Sequence, residues 1–374
     1  MAPDPDGQVT VTLRAPVGND LLDAVVLRAA PDPGDDPKAP VWESLWVALT
    51  FAVPENQPVA AIVTTRHKVP MTQMPDTPRR GGQTPDILCI GSVLWDIIGR
   101  SDNAMRQGSD MPGRITRLPG GVALNIAMAL ARFGLTAGLL STVGRDAEGD
   151  ELIQACEIRG LITTYIYRSD DLPTDRYMAV EGSNGLIAAI ADAHSLEAAG
   201  DKILHAFGNG SLPDPYTGAV ALDGNLTIDL LSHMARSPLL AQADLRLAPA
   251  SPGKALRLSP FMEARRGTLY VNLEEAGLLC QATFASSAEA AGGLLARGAV
   301  RAVVTDGAAP ATLADHTGSV TLPPPPVHVA RVTGAGDTFM AAHIASELRG
   351  AAPGDALSQA LESTALYVSG ETKI

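Results

Sequence analysis

The chain has 374 residues, of which 46% are hydrophobic and only 4% aromatic, so aliphatic side chains must fill a sizeable core. Acidic residues outnumber Lys and Arg by 41 to 28, and the net charge of −13 argues against nonspecific binding to nucleic acid or to an anionic membrane surface. The sequence has no uncharged apolar run of about 18 residues, as a transmembrane helix would require. A small anion could still bind through oriented backbone amides.

The three cysteines, Cys89, Cys156 and Cys280, are widely spaced and form no CxxC motif. This spacing favours neither a disulfide framework nor a thiolate zinc site, and buried thiols are the simplest interpretation. We therefore expect the protein to work in the cytoplasm, where thiols stay reduced.

Residues 1–84 differ in composition from the rest of the chain. Thirteen of the 28 prolines precede Asp86, and residues 31–40 and 71–85 combine Pro and Gly with polar residues. Between them, Val41–Val53 and Val59–Thr64 could each form a strand or a short helix. We predict that residues 1–84 are a poorly ordered extension without catalytic residues; a small accessory domain is the alternative.

Residues 85–374 alternate between strand and helix patterns. Short apolar runs predict buried strands at Ile87–Ile90, Leu139–Val143, Val220–Leu222, Leu245–Ala248, Thr268–Asn272 and Ala302–Thr305. Apolar residues at helical spacing predict helices at Val122–Phe133, Asp150–Arg159, Gly334–Leu348 and Asp355–Val368. The alternation predicts an α/β fold with a mostly parallel sheet, helices on both faces, and ligands beyond the carboxyl ends of the strands.

Three further strand-like segments, Arg114–Leu118, Tyr177–Val180 and Leu186–Ala191, do not fit this alternation. The last two follow one another without a helix between them. We predict that lid strands near residues 96–118 and 174–192 form a small separate sheet over the site.

The segment around Gly334-Ala335-Gly336 carries the sharpest chemical signal. A strand-like run, Val327–Val332, leads into this turn, and a helix then begins. The first amides of the helix can hold an anion, and Asp337 in the first turn can accept a proton from a substrate hydroxyl. If the segment is catalytic, the helix N-terminus should keep Asp337 ionised at neutral pH. From spacing alone, an ordinary N-capped helix explains the segment equally well.

Residues suited to binding a polyol lie near two other predicted turns. Gly120 and Gly121 begin a helix and permit close approach of a ligand, and Asn125 lies one turn further along. Asp96 follows the first strand, where a carboxylate can bind vicinal hydroxyls. Taken singly, each of these residues is explained more simply as a turn, a cap or a surface acid.

Polar residues also follow the later strands. Asn272 and Glu275 are three residues apart, and an amide with a carboxylate suits hydrated Mg²⁺. A helix cap with an acidic first turn is the simpler explanation of this pair alone. Thr305-Asp-Gly307 and Asp223-Gly-Asn225 end strands in the same way.

Taken together, these segments resemble the PfkB/ribokinase family of carbohydrate and nucleoside kinases over about residues 86–370. The resemblance implies a ribokinase-like three-layer sandwich with a mostly parallel central sheet and a small β lid. Within the family, Met111–Ala127 and Gly185–Asp192 look most like the pseudouridine kinase group. Arg331-Val332-Thr333 stands where the family often has Asp-Thr-x before the glycines.

The resemblance also implies a function and roles for the residues that match the family. The expected reaction is ATP-dependent, Mg²⁺-assisted phosphorylation of a primary hydroxyl, with pseudouridine as the best guess. Another sugar kinase, of the ribokinase or 2-keto-3-deoxygluconate type, or a catalytically silent nucleoside sensor is the alternative. The implied roles are catalysis for Asp337 with its anion hole Gly334, Ala335 and Gly336; substrate binding for Asp96, Gly120, Gly121 and Asn125; and cofactor binding for Asn272, Glu275, Thr305 and Gly307, with Glu275 holding Mg²⁺ through water. The expected partner is a small-molecule nucleoside or sugar, with no nucleic acid and no membrane, and a homodimer is kept open as the assembly.

Overall fold

The computed structural model describes residues 84–106 and 108–370, together with the backbone of two strands near the N-terminus. The chain divides into two compact units, Met1–Arg79 and Arg80–Ile374. In the first unit, β1 (Val9–Leu13) pairs antiparallel with β2 (Val59–Val63). The predicted segment Val41–Val53 and most of the extension predicted to be poorly ordered lie outside the described residues.

The second unit is an α/β structure. Its strands are β3 (Ile87–Ile90), β4 (Leu94–Arg100), β5 (Arg114–Gly120), β6 (Ala137–Leu140), β7 (Thr142–Gly144), β8 (Tyr167–Ser169), β9 (Arg176–Gly182), β10 (Gly185–Asp192), β11 (Ala219–Asp223), β12 (Asp244–Ala248), β13 (Thr268–Asn272), β14 (Arg301–Asp306), β15 (Ala309–Asp315) and β16 (Gly318–Leu322). Its helices are α1 (Val122–Arg132), α2 (Ala147–Ile158), α3 (His194–Ala199), α4 (His205–Gly208), α5 (Ile228–Arg236), α6 (Ser259–Glu263), α7 (Leu273–Cys280), α8 (Ser287–Ala296), α9 (Ala335–Leu348) and α10 (Pro353–Ser369). Short 3₁₀ helices cover Gly200–Leu204, Pro238–Leu240 and Pro252–Leu258.

The central sheet has eight strands in the order β16-β15-β14-β13-β12-β11-β3-β6. The strands from β14 to β6 are parallel, whereas β15 and β16 add an antiparallel edge. The predicted α/β fold with a mostly parallel sheet is confirmed. Because the parallel strands all point the same way, their carboxyl ends form one continuous edge.

Two hydrophobic cores lie on opposite faces of this sheet. In β3, Leu88 and Ile90 belong to one core, and Ile87 and Cys89 belong to the other. This division follows from the two-residue period of a strand, which sends neighbouring side chains to opposite faces. Helices α5, α7 and α8 pack into the first core, and α1, α9 and α10 into the second, so the sheet is the middle of three layers. All three cysteines are buried and free.

A second sheet of four strands has the order β10-β9-β4-β5. Its strands β4 and β5 are antiparallel, with Leu94 opposite Gly120 and Asp96 opposite Leu118. It therefore carries two of the predicted substrate-binding residues, Asp96 and Gly120. Ion pairs from Arg117 to Glu151 and from Arg176 to Glu148 join this sheet to α2.

The predicted strand Val327–Val332 is wrong. The chain from residue 323 to residue 334 is irregular and runs from β16 to α9. Four consecutive prolines, 323–326, supply no backbone donors. The amides of Ala330 and Arg331 then donate to the carbonyl of Val368 in α10 rather than to a neighbouring strand.

None of the helices in the described part of the chain is long and apolar enough to cross a membrane.

Candidate active site

Polar residues from separate strands meet at the carboxyl edge of the central sheet. Asp223 ends β11, Asn272 ends β13, and Thr305 lies beside Asn272 in the parallel register of β13 and β14. Ser92 follows β3 at the same edge. The structure thus brings together segments that lie far apart in the sequence.

The turn before α9 is built around glycine in a left-handed conformation. Gly334 has φ 81° and ψ 2° and occupies the N-cap of α9. An L side chain is strained at this φ, and a Cβ at Gly334 would also lie 2.5 Å from the hydroxyl oxygen of Tyr367. An α-helix leaves its first amides without intrahelical acceptors, so the amides of Gly336 and Asp337 are suited to an anion.

Asp337 contacts the other predicted binding segment directly. Asn125 Nδ2 donates a hydrogen bond of 3.1 Å to Asp337 Oδ2, across 212 residues of sequence. This bond joins the first turn of α9 to the first turn of α1. A proposed base and a proposed substrate ligand are therefore in direct contact.

The environment of Asp337 opposes the effect of the helix N-terminus on its ionisation. Burial raises the pKa of Asp337 to about 7, although the hydrogen bond from Asn125 acts in the opposite direction. The carboxylates of Asp223, Asp96 and Glu275 add to the increase. Desolvation and like charges both favour the protonated carboxyl, whereas a helix N-terminus favours the carboxylate.

This pKa predicts an acidic limb in the pH profile. If Asp337 acts as a base, kcat/KM should fall about tenfold per pH unit below about pH 7, because protonation removes the base. The measurement is kcat/KM from pH 5 to 9 at constant ionic strength with saturating ATP. A profile that stays flat down to pH 5.5 would show that the carboxylate does not limit the reaction.

Asp96 is held close to the glycine pair that precedes α1. A Cβ at Gly120 would collide with the Asp96 carboxylate, so glycine is required for this close approach. Burial raises the pKa of Asp96 to about 6. Asp96 and Gly120 thus lie at the junction of the second sheet and α1, and Gly121 follows Gly120 as the N-cap of that helix.

A buried hydrogen-bond network organises this junction. Asp223 is fully buried, and its Oδ2 accepts hydrogen bonds from Ser92 N, Ser92 Oγ and Ala123 N at 2.8, 2.8 and 3.0 Å. Ser92 Oγ in turn accepts from Val122 N at 2.8 Å. The network therefore ties the ends of β3 and β11 to the start of α1. The strand-ending Asp223-Gly-Asn225 was the only sequence signal for it.

Lys254, in the 3₁₀ helix Pro252–Leu258 that precedes α6, extends this network. Its Nζ donates to Asn225 Oδ1 at 2.5 Å, and Asn225 Nδ2 donates to Ser92 Oγ at 2.8 Å. Burial lowers the pKa of Lys254, and the nearby Arg257 acts in the same direction. A partly buried ammonium thus lies two hydrogen bonds from the end of β3.

Asn272 and Glu275 form a reciprocal cap on α7. Asn272 Oδ1 accepts from the Glu275 amide, and Glu275 Oε2 accepts from the Asn272 amide, both at 2.9 Å. The helix-cap explanation therefore holds, and Glu275 still has its second carboxylate oxygen. Burial raises the pKa of Glu275. Gly307 lies in the turn from β14 to β15 with φ 55°, one strand away.

Among the described residues, no cluster of three or more His, Cys, Asp or Glu side chains could hold a metal ion.

Solved structures with the same architecture include Arabidopsis thaliana ribokinase complexed with ribose and ATP. The TM-score is 0.63 at 19% identity, and the alignment covers 78% of this chain and 94% of that one. This likeness shows a ribokinase-like fold. A family model described as pfkB family carbohydrate kinase matches residues 84–372. The chain belongs to this family.

Curated relatives include two proteins of Escherichia coli strain K12. The uncharacterized sugar kinase YeiI is 33% identical over 144 residues, which are 38% of this chain and 39% of the relative. Pseudouridine kinase is 33% identical over 107 residues, which are 28% of this chain and 34% of the relative. The chain thus matches between a third and two fifths of the length of each.

Proposed function

We propose that this protein is an ATP-dependent kinase that phosphorylates a primary hydroxyl of a nucleoside or sugar, with pseudouridine as the leading substrate. The hydrogen bond between Asn125 and Asp337 carries the proposal, because it unites a candidate substrate ligand with a candidate base. Membership of a carbohydrate kinase family supports the reaction class. The product from pseudouridine would be pseudouridine 5′-phosphate.

Each candidate site residue has its own role in the proposed reaction. Asp96 and Asn125 hold hydroxyl groups of the acceptor, and Gly120 and Gly121 let Asp96 and Ser92 pack closely against the start of α1. Asp337 takes the proton of the reacting hydroxyl while the oxygen of that hydroxyl forms a bond to the γ-phosphorus of ATP. The bond from that phosphorus to the β,γ-bridging oxygen breaks, and ADP leaves. The amides at the start of α9 stabilise the negative charge on the transferring phosphoryl.

The site fits a magnesium ion that arrives with the nucleotide. Mg²⁺ keeps several waters and commonly binds one or two carboxylates together with substrate phosphates. Glu275 uses only Oε2 in its cap, and burial raises its pKa, so a nearby cation would stabilise its charged form. Glu275 would hold the ion through water, and the ion would neutralise phosphate charge. Thr305 and Gly307 would lie against the nucleotide.

Three observations bear on the choice of acceptor. The segments Met111–Ala127 and Gly185–Asp192 resemble the pseudouridine kinase group, and pseudouridine kinase of E. coli is among the relatives. The YeiI relative carries only the name of a sugar kinase, which keeps a ribokinase-type or 2-keto-3-deoxygluconate-type kinase as the alternative. A silent nucleoside sensor would have no need of a base at Asp337. We place the protein in the cytoplasm and keep a homodimer open as its assembly.

An acceptor panel tests this proposal. Purified protein is assayed for ADP release with ATP, Mg²⁺ and each of pseudouridine, uridine, ribose and 2-keto-3-deoxygluconate. We expect kcat/KM for pseudouridine to exceed that for every other acceptor by at least about tenfold, since site hydrogen bonds left unpaired are costly. Preference for ribose or 2-keto-3-deoxygluconate would establish the sugar kinase alternative. Calorimetric binding of pseudouridine without any turnover would establish the sensor.

We further propose that the kinase domain, residues 85–374, is sufficient for activity. The family match begins at residue 84, and the chain divides into compact units near residue 79. A chain that starts at Met74 should therefore keep kcat/KM within about twofold of the full-length value. The two proteins are compared in the acceptor assay after their melting temperatures are matched. A loss beyond tenfold in a folded short chain would assign the extension a role in the reaction.

A further inference from the structure

The last turn of α10 is hydrogen-bonded to the irregular segment that precedes α9. Ala330 N and Arg331 N donate to the Val368 carbonyl at 2.8 and 3.1 Å. Arg331 Nε donates to the Tyr367 carbonyl at 2.7 Å. In the opposite direction, the Tyr367 hydroxyl donates to the Thr333 carbonyl at 2.8 Å. Four hydrogen bonds thus connect two short stretches of chain.

Two guanidinium groups lie over the ring of Tyr367. The Arg331 guanidinium carbon is 4.0 Å from the ring centroid, and that of Arg132 is 5.9 Å away. A cation above an aromatic face is stabilised by the ring quadrupole, more so when water is partly excluded, and Tyr367 is 9% exposed. Arg132 ends α1, the helix whose first turn presents Asn125 to Asp337. We call Tyr367, Arg331 and Arg132, with the Thr333 and Val368 carbonyls, the Tyr367 clasp.

The clasp ends where the candidate anion hole begins. Thr333, whose carbonyl accepts the Tyr367 hydroxyl, immediately precedes Gly334. Gly334 itself is packed so closely that an added Cβ would lie 2.5 Å from that hydroxyl. The hydroxyl therefore fills the space beside the glycine and fixes the peptide that leads into it. The Arg331 guanidinium faces α10, where its Nε donates to the Tyr367 carbonyl.

We propose that Tyr367 is a positioning residue for phosphoryl transfer, which holds the turn Gly334-Ala335-Gly336 in place behind the reacting groups. The inference rests on the proposed role of that turn and of Asp337. Donors to a transferring group act through their exact placement, and a displacement of about 1 Å can cost about 10²-fold in rate. Tyr367 positions this turn without contacting the substrate, because its hydroxyl donates a hydrogen bond to the Thr333 carbonyl.

The first test removes the hydroxyl alone. Tyr367→Phe keeps the ring and its contacts with the two guanidinium groups, so we expect kcat to fall about tenfold while the KM values for acceptor and ATP change less than twofold. Tyr270→Phe is the matched control, because its buried hydroxyl bonds His343 and Arg246 away from the turn. It should keep kcat within twofold. If Tyr367→Phe retains full kcat, or if both variants lose kcat equally, the positioning role is wrong.

Hydrogen exchange provides a readout that does not depend on activity. The amides of Ala330 and Arg331 should exchange at least about tenfold faster in Tyr367→Phe than in the wild type, and no faster in Tyr270→Phe. If the exchange rates of residues 327–338 are unchanged, the clasp does not hold this turn, whether or not the enzyme is active. Wild-type protein without turnover on any acceptor would instead count against the proposed function, while the exchange data would still decide the clasp.

A double variant tests the contact between the hydroxyl and Gly334. Gly334→Ala should be strongly impaired, partly because its Cβ meets the Tyr367 oxygen. Adding Tyr367→Phe removes that oxygen and relieves the collision. The double variant should therefore have a kcat no lower than that of Gly334→Ala alone. Multiplication of the two losses would show that Tyr367 and Gly334 act independently.

Discussion

Replacing Asp337 by Asn should lower kcat by at least about 10²-fold while the affinity for ATP stays within a few-fold. General bases typically contribute about 10²–10⁴-fold, and Asn keeps the size and one acceptor oxygen without the basicity. ATP binding should survive because the candidate anion hole consists of backbone amides. The measurements are steady-state kinetics with the preferred acceptor and calorimetry with ATP.

The control for this variant is Asp355→Asn. Asp355 is an exposed acid in the first turn of α10, so it reproduces the helix-terminal position of Asp337 without the site. It should keep kcat within twofold. Turnover near the wild-type level in Asp337→Asn would reduce Asp337 to a residue that stabilises its own helix.

Stability should separate a chemical loss from a folding defect. The pKa of Asp337 is raised in the folded state, so the folded protein binds this proton more tightly than the unfolded chain. Its contribution to stability is therefore lost as pH rises from about 4 through about 7. Asn carries no such proton, and Asp337→Asn should melt at or above the wild-type temperature at pH 8. A lower melting temperature at that pH would point to a structural defect instead.

Replacing Asp96 by Ala should raise the acceptor KM by about 5- to 150-fold and change the ATP KM by less than twofold. A hydroxyl group that loses its buried partner costs about 1–3 kcal/mol, which corresponds to this range. Asp96 lies in β4 close to Gly120, where we propose that the acceptor binds. Both KM values are measured with the other substrate saturating.

Asp102→Ala provides the comparison for Asp96. Asp102 follows the same strand but is exposed, so its removal should leave both KM values unchanged. Equal increases in the two KM values of Asp96→Ala would indicate a general distortion of the site. They would contradict a specific role in acceptor binding.

Local patterns were sufficient for the main elements of the second unit. The apolar runs at Ile87–Ile90 and Thr268–Asn272 match the observed strands in full, because a buried strand needs a short continuous hydrophobic segment. Helix α9 was expected from its glycine turn and begins one residue after Gly334. The interpretation failed at Val327–Val332, where a strand-like composition follows four prolines. There the hydrogen-bond partner is the end of α10, which no local pattern reveals.

By itself, the sequence determined the α/β class, the family resemblance and the segments that bear Asp96, Asn125 and Asp337, because each depends on residues close together in the chain. Only the tertiary structure decided how those segments interact. Asn125 meets Asp337 across 212 residues, and Asp223 reaches Ser92 across 131. The pKa of Asp337 likewise depends on burial and on carboxylates from other elements of the fold. Desolvation and charge act through space, so their balance depends on the packed fold.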